Sequence, residues 1–334
     1  MTLNQTLDFA RILKRIGYDE ISAKMRDGTS TAKLSDDVLS YLSVSNPRLI
    51  EIQDRYAAVT SNAVQHSQWS REFVHREVSL CSFRDDSAFL WQRRDLNFPA
   101  NYLCTYYYYA LSEARDLLTA CCEDNLFGAF AMELGSEVIT RDRLDSVSQI
   151  SFLRKEMNLG HKSNVVLDIG SGYGRFAHRM AQCFPDSSVI CTDAIPESLF
   201  LCEFYLKFRG INSNNAMIIE LPRLEETLAT MSVDLAVAIN SLSECSGAAI
   251  TWWITLIRKY KIPYLLFIPH ATANTHGGRK LFSRELDTNS KMDIESLLGD
   301  FGYSRIVLKP KYDDPQLQRY GLSPTYYHLF ALRT

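Results

Sequence analysis

An α/β protein is expected here: a mostly parallel sheet covered by helices on both faces, preceded by a mostly helical domain. Three observations point to it. From about residue 140, strand-like and helix-like segments alternate with short connections, the rhythm of βαβ units. A glycine-rich turn at 170–174 separates an apolar strand from the helix that follows it. Residues 1–139 contain little that alternates like a strand. The 334 residues exceed what one compact core usually needs, so one large or two modest domains are expected. The boundary is expected near 139/140, with 1–139 as a helical cap and 140–334 as the α/β domain.

In chain order, Leu3, Leu7 and Ala10 lie at helical spacing. Asn46-Pro47 reads as an N-cap with proline at the first helical position, opening a helix over about 47–60. Loose connections are expected at 27–33 and 81–101. Four consecutive tyrosines, Tyr106 to Tyr109, cannot all face one core on any regular element. Some of them, Tyr107 among the candidates, face an acceptor cleft, another domain or solvent. Leu111, Leu117 and Leu118 share a further helical segment. Thr140 caps a helix over 141–157 with Val147, Ile150, Leu153 and Met157 on one side.

Strands are then expected at 164–169, 188–193, 215–219, 233–239, 263–268, 303–309 and 326–332. Helices are expected between them at 174–184, 196–209, 222–230, 247–259 and 291–299. The last two strands are joined by KPKYDDPQLQRYGLSP without a helix, which lets the final strand return antiparallel.

The strongest signal is VVLDIGSGYGRFAHRM, residues 165–180. Gly170, Gly172 and Gly174 turn the chain sharply after a buried strand and let the backbone approach a ligand without a Cβ in the way. The nicotinamide fingerprint is G-x-G-x-x-G, wrapped around a pyrophosphate. Here the spacing is G-x-G-x-G, and Arg175 stands where that third glycine would be. Asp168, two residues before the first glycine, would meet a pyrophosphate as a like charge. It suits a cationic ligand such as the amino-acid end of S-adenosylmethionine. Asp193 ends the next strand, where an acid accepts ribose hydroxyl protons; nicotinamide enzymes place an acid similarly.

These residues resemble the class I S-adenosylmethionine-dependent methyltransferases. The segments ITRDRLDSVSQISFLRKEM, VLDIGSGYGRFAHRM, CTDAIPESLFLCEFYLKFRG, INSLSECSGAAITWW and YLLFIPH are similar to a bacterial family of sugar O-methyltransferases. The resemblance covers about 130–334 and is less distinct before that. It implies a Rossmann-like class I methyltransferase sheet of seven strands, the last one antiparallel, with S-adenosyl-L-methionine as cofactor. Cofactor contacts are implied for Asp168, Gly170, Ser171, Gly172, Tyr173 and Gly174 in the loop. Further contacts are implied for Asp193 and Ala194 after the second strand, and for Asn240 and Ser241 after the fourth. That family has a histidine after the fourth-strand asparagine. This chain has Ser241 there, so no histidine role carries over to that position.

In open α/β sheets ligands bind outside the carboxyl ends of the strands, where strand order reverses. Two neighbouring strand ends are therefore expected to carry the acceptor chemistry. One is followed by Asn240, Ser241, Ser243 and Glu244, the other by His270, Asn274, His276 and Arg279. So many hydrogen-bonding groups suit a polyhydroxylated acceptor. A sugar hydroxyl is a weak acid, so its methylation calls for a base or a metal. His270 and Glu244 are the candidate catalytic residues. The alternative for each is structural: His270 packing at a strand end, Glu244 beside a helix N-terminus. A metal-assisted variant, which is not the expectation, would gather Glu244, His270 and Asp313 or Asp314. His328 and the remaining histidines, His66, His75, His161 and His178, read as packing or surface residues.

The formal net charge of −3 lacks the concentrated Lys/Arg of a polyanion binder, and no asparagine-proline-proline-aromatic motif of base methylation is present. No apolar run approaches the roughly 18 residues of a membrane span. The eight cysteines form no C-x-x-C pair, and the N-terminus lacks the order of a signal peptide. A cytoplasmic protein with buried, free thiols is expected. Two further readings stand beside sugar O-methylation. One is a methyltransferase of a non-sugar natural product; the other is a scaffold that binds S-adenosylmethionine without chemistry.

Overall fold

The computed structural model describes residues 33–64, 69–84, 98–272, 275–284 and 291–333. The chain divides into two compact units. One gathers the described residues within 1–42, 79–157 and 310–324; the other gathers 43–78, 158–309 and 325–334. The division therefore does not run at 139/140. Residues 43–78 fold with the sheet, and 140–157 fold with the helical unit.

In the helical unit, α1 (Asp36–Tyr41) is capped by Ser35. Helices α4 (Phe98–Ala110) and α5 (Arg115–Ala120) follow, with α2 (Pro47–Ala57) and α3 (Arg71–Glu77) belonging to the other unit. Leu111 lies between α4 and α5 and is 67% exposed, so it does not share the helix of Leu117 and Leu118. Ser112 causes the break: its hydroxyl donates to the Tyr109 carbonyl at 3.0 Å and accepts from the Ala114 N–H at 3.1 Å. The four tyrosines all lie on α4. Tyr109 is buried and Tyr108 meets Tyr312 edge-on with centroids 5.9 Å apart.

A hairpin, β1 (Ala131–Leu134) and β2 (Glu137–Thr140), appears where no strand is expected. Its two-residue turn is Gly135-Ser136, and Gly135 takes φ +63°. Such a turn is the commonest way to join antiparallel strands. Thr140 then caps α6 (Arg141–Met157), its Oγ1 accepting from the Arg143 N–H at 3.1 Å. This helix is buried nearly all round from Asp142 to Leu153, not along one stripe. Its buried charges are paired: Asp142 with Arg84 and Asp145 with Lys311.

The sheet unit holds seven strands in the order β5-β4-β3-β6-β7-β9-β8. These are β3 (Val165–Ile169), β4 (Ser188–Thr192), β5 (Ala216–Ile218), β6 (Leu235–Ile239), β7 (Tyr264–Ile268), β8 (Tyr303–Pro310) and β9 (Tyr326–Leu332). β3 pairs in parallel with β4 and β6, β4 with β5, and β6 with β7. The final strand, β9, pairs antiparallel with β7. This is a Rossmann-like sheet of the expected kind. Val166, Leu167, Val189, Ile190, Ala236 and Val237 are fully buried, as strands covered on both faces must be.

The helices between strands are α7 (Arg175–Cys183), α8 (Pro196–Phe208), α9 (Leu224–Thr230), α10 (Gly247–Lys259) and α11 (Ile294–Asp300). A short helix, α12 (Pro315–Tyr320), interrupts the last connection, which was expected to have none. Asp314 caps it and Pro315 opens it. From the first half of the chain, α2 (Pro47–Ala57) joins this unit. Asn46 caps it, and Arg48 and Gln53 reach Glu203 and Glu197 of α8. α3 (Arg71–Glu77) follows it. Among the described residues no helix is long and apolar enough to cross a membrane.

Candidate active site

Strand order reverses between β3 and β6, the two neighbours that lead away from each other in sequence. Ligands of such sheets settle at that reversal, outside the carboxyl ends. The glycine loop leaves β3 at this point. Gly170, Gly172 and Gly174 take φ of +74°, +55° and +83°, conformations that side chains with a Cβ rarely adopt. Gly170 also makes room: a Cβ there would collide with the Cβ of Ser241. A Cβ on Gly174 would come within 2.9 Å of Cys202 Sγ and 3.1 Å of Leu206 Cγ, which sets how closely α7 approaches α8. Tyr173 is buried and meets Tyr205 edge-on; Ser171 is buried as well.

Two carboxylates flank the loop. Asp168 is 3% exposed, and no hydrogen bond reaches its carboxylate among the described residues. Burial pushes its pKa up to about 7, Arg175 at the start of α7 draws it down, and Asp193 adds to the rise. Asp193 follows β4, one residue beyond the Ile169–Thr192 pair. Its Oδ2 accepts from the Gly172 N–H and its Oδ1 from the Ile195 N–H, both at 2.9 Å. Burial nonetheless raises its pKa to about 7 against the N–H groups of Ile195, Gly172 and Ala194, and Glu244 adds to the rise. Each Asp193 oxygen retains a lone pair for a further donor. Two buried acids beside a loop of bare backbone form an acidic cradle, and a cation placed there would favour their charged forms.

The ends of β6 and β7 lie side by side, with Ile239 paired to Ile268. Asn240 turns the chain at φ +65° and its N–H donates to the Ile268 carbonyl at 2.7 Å. Ser241 donates its hydroxyl to the Ile169 carbonyl at 2.5 Å, tying this turn to β3. Ser243 donates to the Asn240 carbonyl at 2.6 Å and accepts from the His270 N–H at 3.4 Å, so it links the two loops. Glu244 is 8% exposed. Its Oε1 lies 2.5 Å from His270 Nε2, and its Oε2 accepts from Trp69 Nε1 at 2.6 Å. His270 Nδ1 makes no hydrogen bond among the described residues, and the ring is one-third exposed. Thr275 and Thr325 pin the backbone here, through the carbonyls of His270 and Pro269.

The other candidates are placed differently. His276 is exposed at φ +49°, and Arg279 is exposed with its guanidinium 4.9 Å from the Tyr326 ring centre. Asn274 and His66 lie outside the described residues. Tyr107 belongs to the helical unit, half-buried and edge-on to Tyr106. Asp314 caps α12 and Asp313 faces Lys155 at 3.8 Å. Among the described residues no group of three or more His, Cys, Asp or Glu is arranged to hold a metal ion. His328 is buried on β9 against the Gly278 carbonyl, and burial lowers its pKa to about 4. His178 is buried against Tyr205. None of the eight cysteines is joined in a disulfide.

Two residues at the site went unmarked in sequence. Tyr56 of α2 is buried, donates to the Asp193 carbonyl at 2.8 Å and accepts from the Leu221 N–H at 3.0 Å. Burial raises its pKa, so it stays a donor. Trp69 precedes α3 and reaches Glu244. Alternation with helical spacing marks neither.

No protein-family model and no curated protein matches the chain. Among solved structures, it is similar to the magnesium protoporphyrin IX methyltransferase of Synechocystis PCC 6803, crystallised with bound SAH. That likeness has 15% identity and TM-score 0.38, and covers 67% of this chain and 97% of that one. It is also similar to a SAM-dependent methyltransferase of Aquifex aeolicus, at 16% identity and TM-score 0.38, over 55% and 87% of the two chains. A third is the precorrin-6y C5,15-methyltransferase of Geobacter metallireducens GS-15, at 16% identity and TM-score 0.36, over 56% and 87%. At identities and scores this low, no property of these proteins carries over to this chain.

Proposed function

We propose that this chain is an S-adenosylmethionine-dependent O-methyltransferase acting on a sugar hydroxyl. The observation that carries the reading is the Glu244–His270 contact, 2.5 Å, at the strand ends beside the glycine loop. The cradle fits the cofactor. Asp168 offers a buried carboxylate in search of a cationic partner, and Asp193 keeps lone pairs for ribose hydroxyls. When bound, the cofactor supplies an electrophilic methyl group on a sulfonium.

The chain's own residues would then hold the acceptor and take its proton. With Glu244 ionised, His270 Nε2–H donates to it, and Nδ1 presents a lone pair. An acceptor hydroxyl reaching Nδ1 would give up its proton there. General-base assistance of this kind contributes about 10²–10⁴-fold. Alignment of the reacting atoms adds on the order of 7 kcal/mol or more in favourable cases. The polar side chains after β6 and β7 suit a ring with several hydroxyls. A catechol-like aromatic acceptor would instead ask for an apolar wall.

Incubation with S-adenosylmethionine and a panel of nucleotide sugars and glycans, read by mass spectrometry, tests this. A methylated sugar product is expected, with turnover lowered at least about a hundredfold in His270→Ala. Methylation of aromatic acceptors alone would overturn the sugar assignment. Wild-type turnover in both His270→Ala and Glu244→Gln would overturn the base.

A further inference from the structure

The hydrogen bond between Trp69 and Glu244 has a chemical consequence that depends on which atom donates. The contact between Glu244 Oε1 and His270 Nε2 holds one proton, and two arrangements satisfy it. In the first, Glu244 is a carboxylate, Nε2 carries the proton, and Nδ1 is a lone-pair acceptor. In the second, Glu244 is a carboxylic acid donating from Oε1 to Nε2 and Nδ1 carries a proton as well, so the pair holds one proton more, taken from solvent. Only the first leaves His270 able to accept a proton at its remaining nitrogen.

An indole N–H is a donor and nothing else. Directed at Glu244 Oε2 from 2.6 Å, it needs an acceptor there, which both arrangements offer because the acid's proton would sit on Oε1, so the two differ in the strength of this bond. A carboxylate accepts such a bond about twice as strongly as a neutral group does. The bond therefore favours the first arrangement. Glu244 is itself buried, so the two hydrogen bonds to its oxygens replace contacts with water. Trp69 is itself held in place by an edge contact with Phe73, centroids 5.4 Å apart, and lies just before α3.

We infer that Trp69 is a positioning residue that sets the tautomer of His270 through Glu244, holding the proton on Nε2 and the lone pair on Nδ1. The consequence for catalysis rests on the reading of His270 as the base. The tautomer itself does not, because it is measured on the protein alone, without cofactor or acceptor. A failure of sugar methylation and a failure of this inference are thus separately visible.

The test is nitrogen-15 NMR of the full chain with labelled histidine at pH 8. The wild-type His270 is expected to show a protonated Nε2 and an unprotonated Nδ1. In Trp69→Phe, which keeps the ring against Phe73, the ratio of Nε2–H to Nδ1–H should fall roughly tenfold, and the two nitrogen shifts should converge. Histidine shifts identical in the wild type and Trp69→Phe would overturn the inference, as would an Nδ1–H tautomer in the wild type. Where Trp69→Phe fails to fold, the Trp69 indole proton of the wild type serves instead. It should be shifted downfield and protected from exchange, and should move in Glu244→Gln. An indole proton exchanging like that of free tryptophan, or unmoved in Glu244→Gln, would equally overturn it.

Discussion

Replacing Asp168 by Asn should stabilise the ligand-free protein above neutral pH, although it removes a proposed cofactor contact. The reason is the cost of keeping this carboxylate charged. It is 3% exposed and receives no hydrogen bond among the described residues, and burial carries its pKa from 3.8 to about 7. A group whose folded pKa is raised contributes stability that is complete below the unfolded value and lost as pH rises through the folded one. The window is therefore about pH 4 to 7. Above it, the ionised form costs about 4 kcal/mol relative to the unfolded chain, at 1.36 kcal/mol per pH unit. Asn is neutral and nearly isosteric, so that cost disappears. Urea unfolding of both proteins at pH 5, 6, 7 and 8 measures the difference. The Asn variant should gain stability over the wild type at pH 8, by up to about 4 kcal/mol, and the gain should shrink toward pH 5. A variant that is less stable at pH 8 and equal at pH 5 would refute the reasoning. It would show a carboxylate stabilised by the fold, not one held against burial.

Other outcomes follow from the same geometry. Asp193→Ala should weaken binding of S-adenosylhomocysteine at least about tenfold in calorimetry, since a charge-assisted bond is worth roughly 1.5–3 kcal/mol. Tyr56→Phe leaves the Leu221 N–H without its acceptor, so the unfolding free energy should fall by about 1–3 kcal/mol. Gly170→Ala meets both the positive φ and Ser241, and should lower the melting temperature markedly. Adding Ser241→Gly should restore only the steric part of that loss.

The sheet is legible in the chain because a parallel strand buried on both faces must be a short continuous apolar run, as LAVAI and the LLFI of β7 are. Turn residues and caps mark the intervening helices, and Asp314-Pro315 marks even the short α12 that a strand-to-strand reading passes over. The hairpin at 131–140 is harder to see, since four-residue strands give periodicity little length to register. Asp168, Asp193, Glu244 and His270 are readable as candidates because topology alone places strand ends at the site. Tyr56 and Trp69 are not, since their partners stand 137 and 175 residues away. Nor does the sequence show that residues 43–78 fold with the sheet, because that follows from contacts such as those of Arg48 with Glu203 and Glu220. A boundary drawn at 139/140 from the change of rhythm cannot register such pairings.

The most direct measurement is calorimetry of the purified full chain with S-adenosylhomocysteine and, separately, with NADH. The acidic cradle of Asp168 and Asp193 around the glycine loop predicts micromolar binding of S-adenosylhomocysteine, whose amino group suits it, and no heat from NADH, whose pyrophosphate would meet two buried acids. Binding of NADH with no response to S-adenosylhomocysteine would contradict the account at its centre.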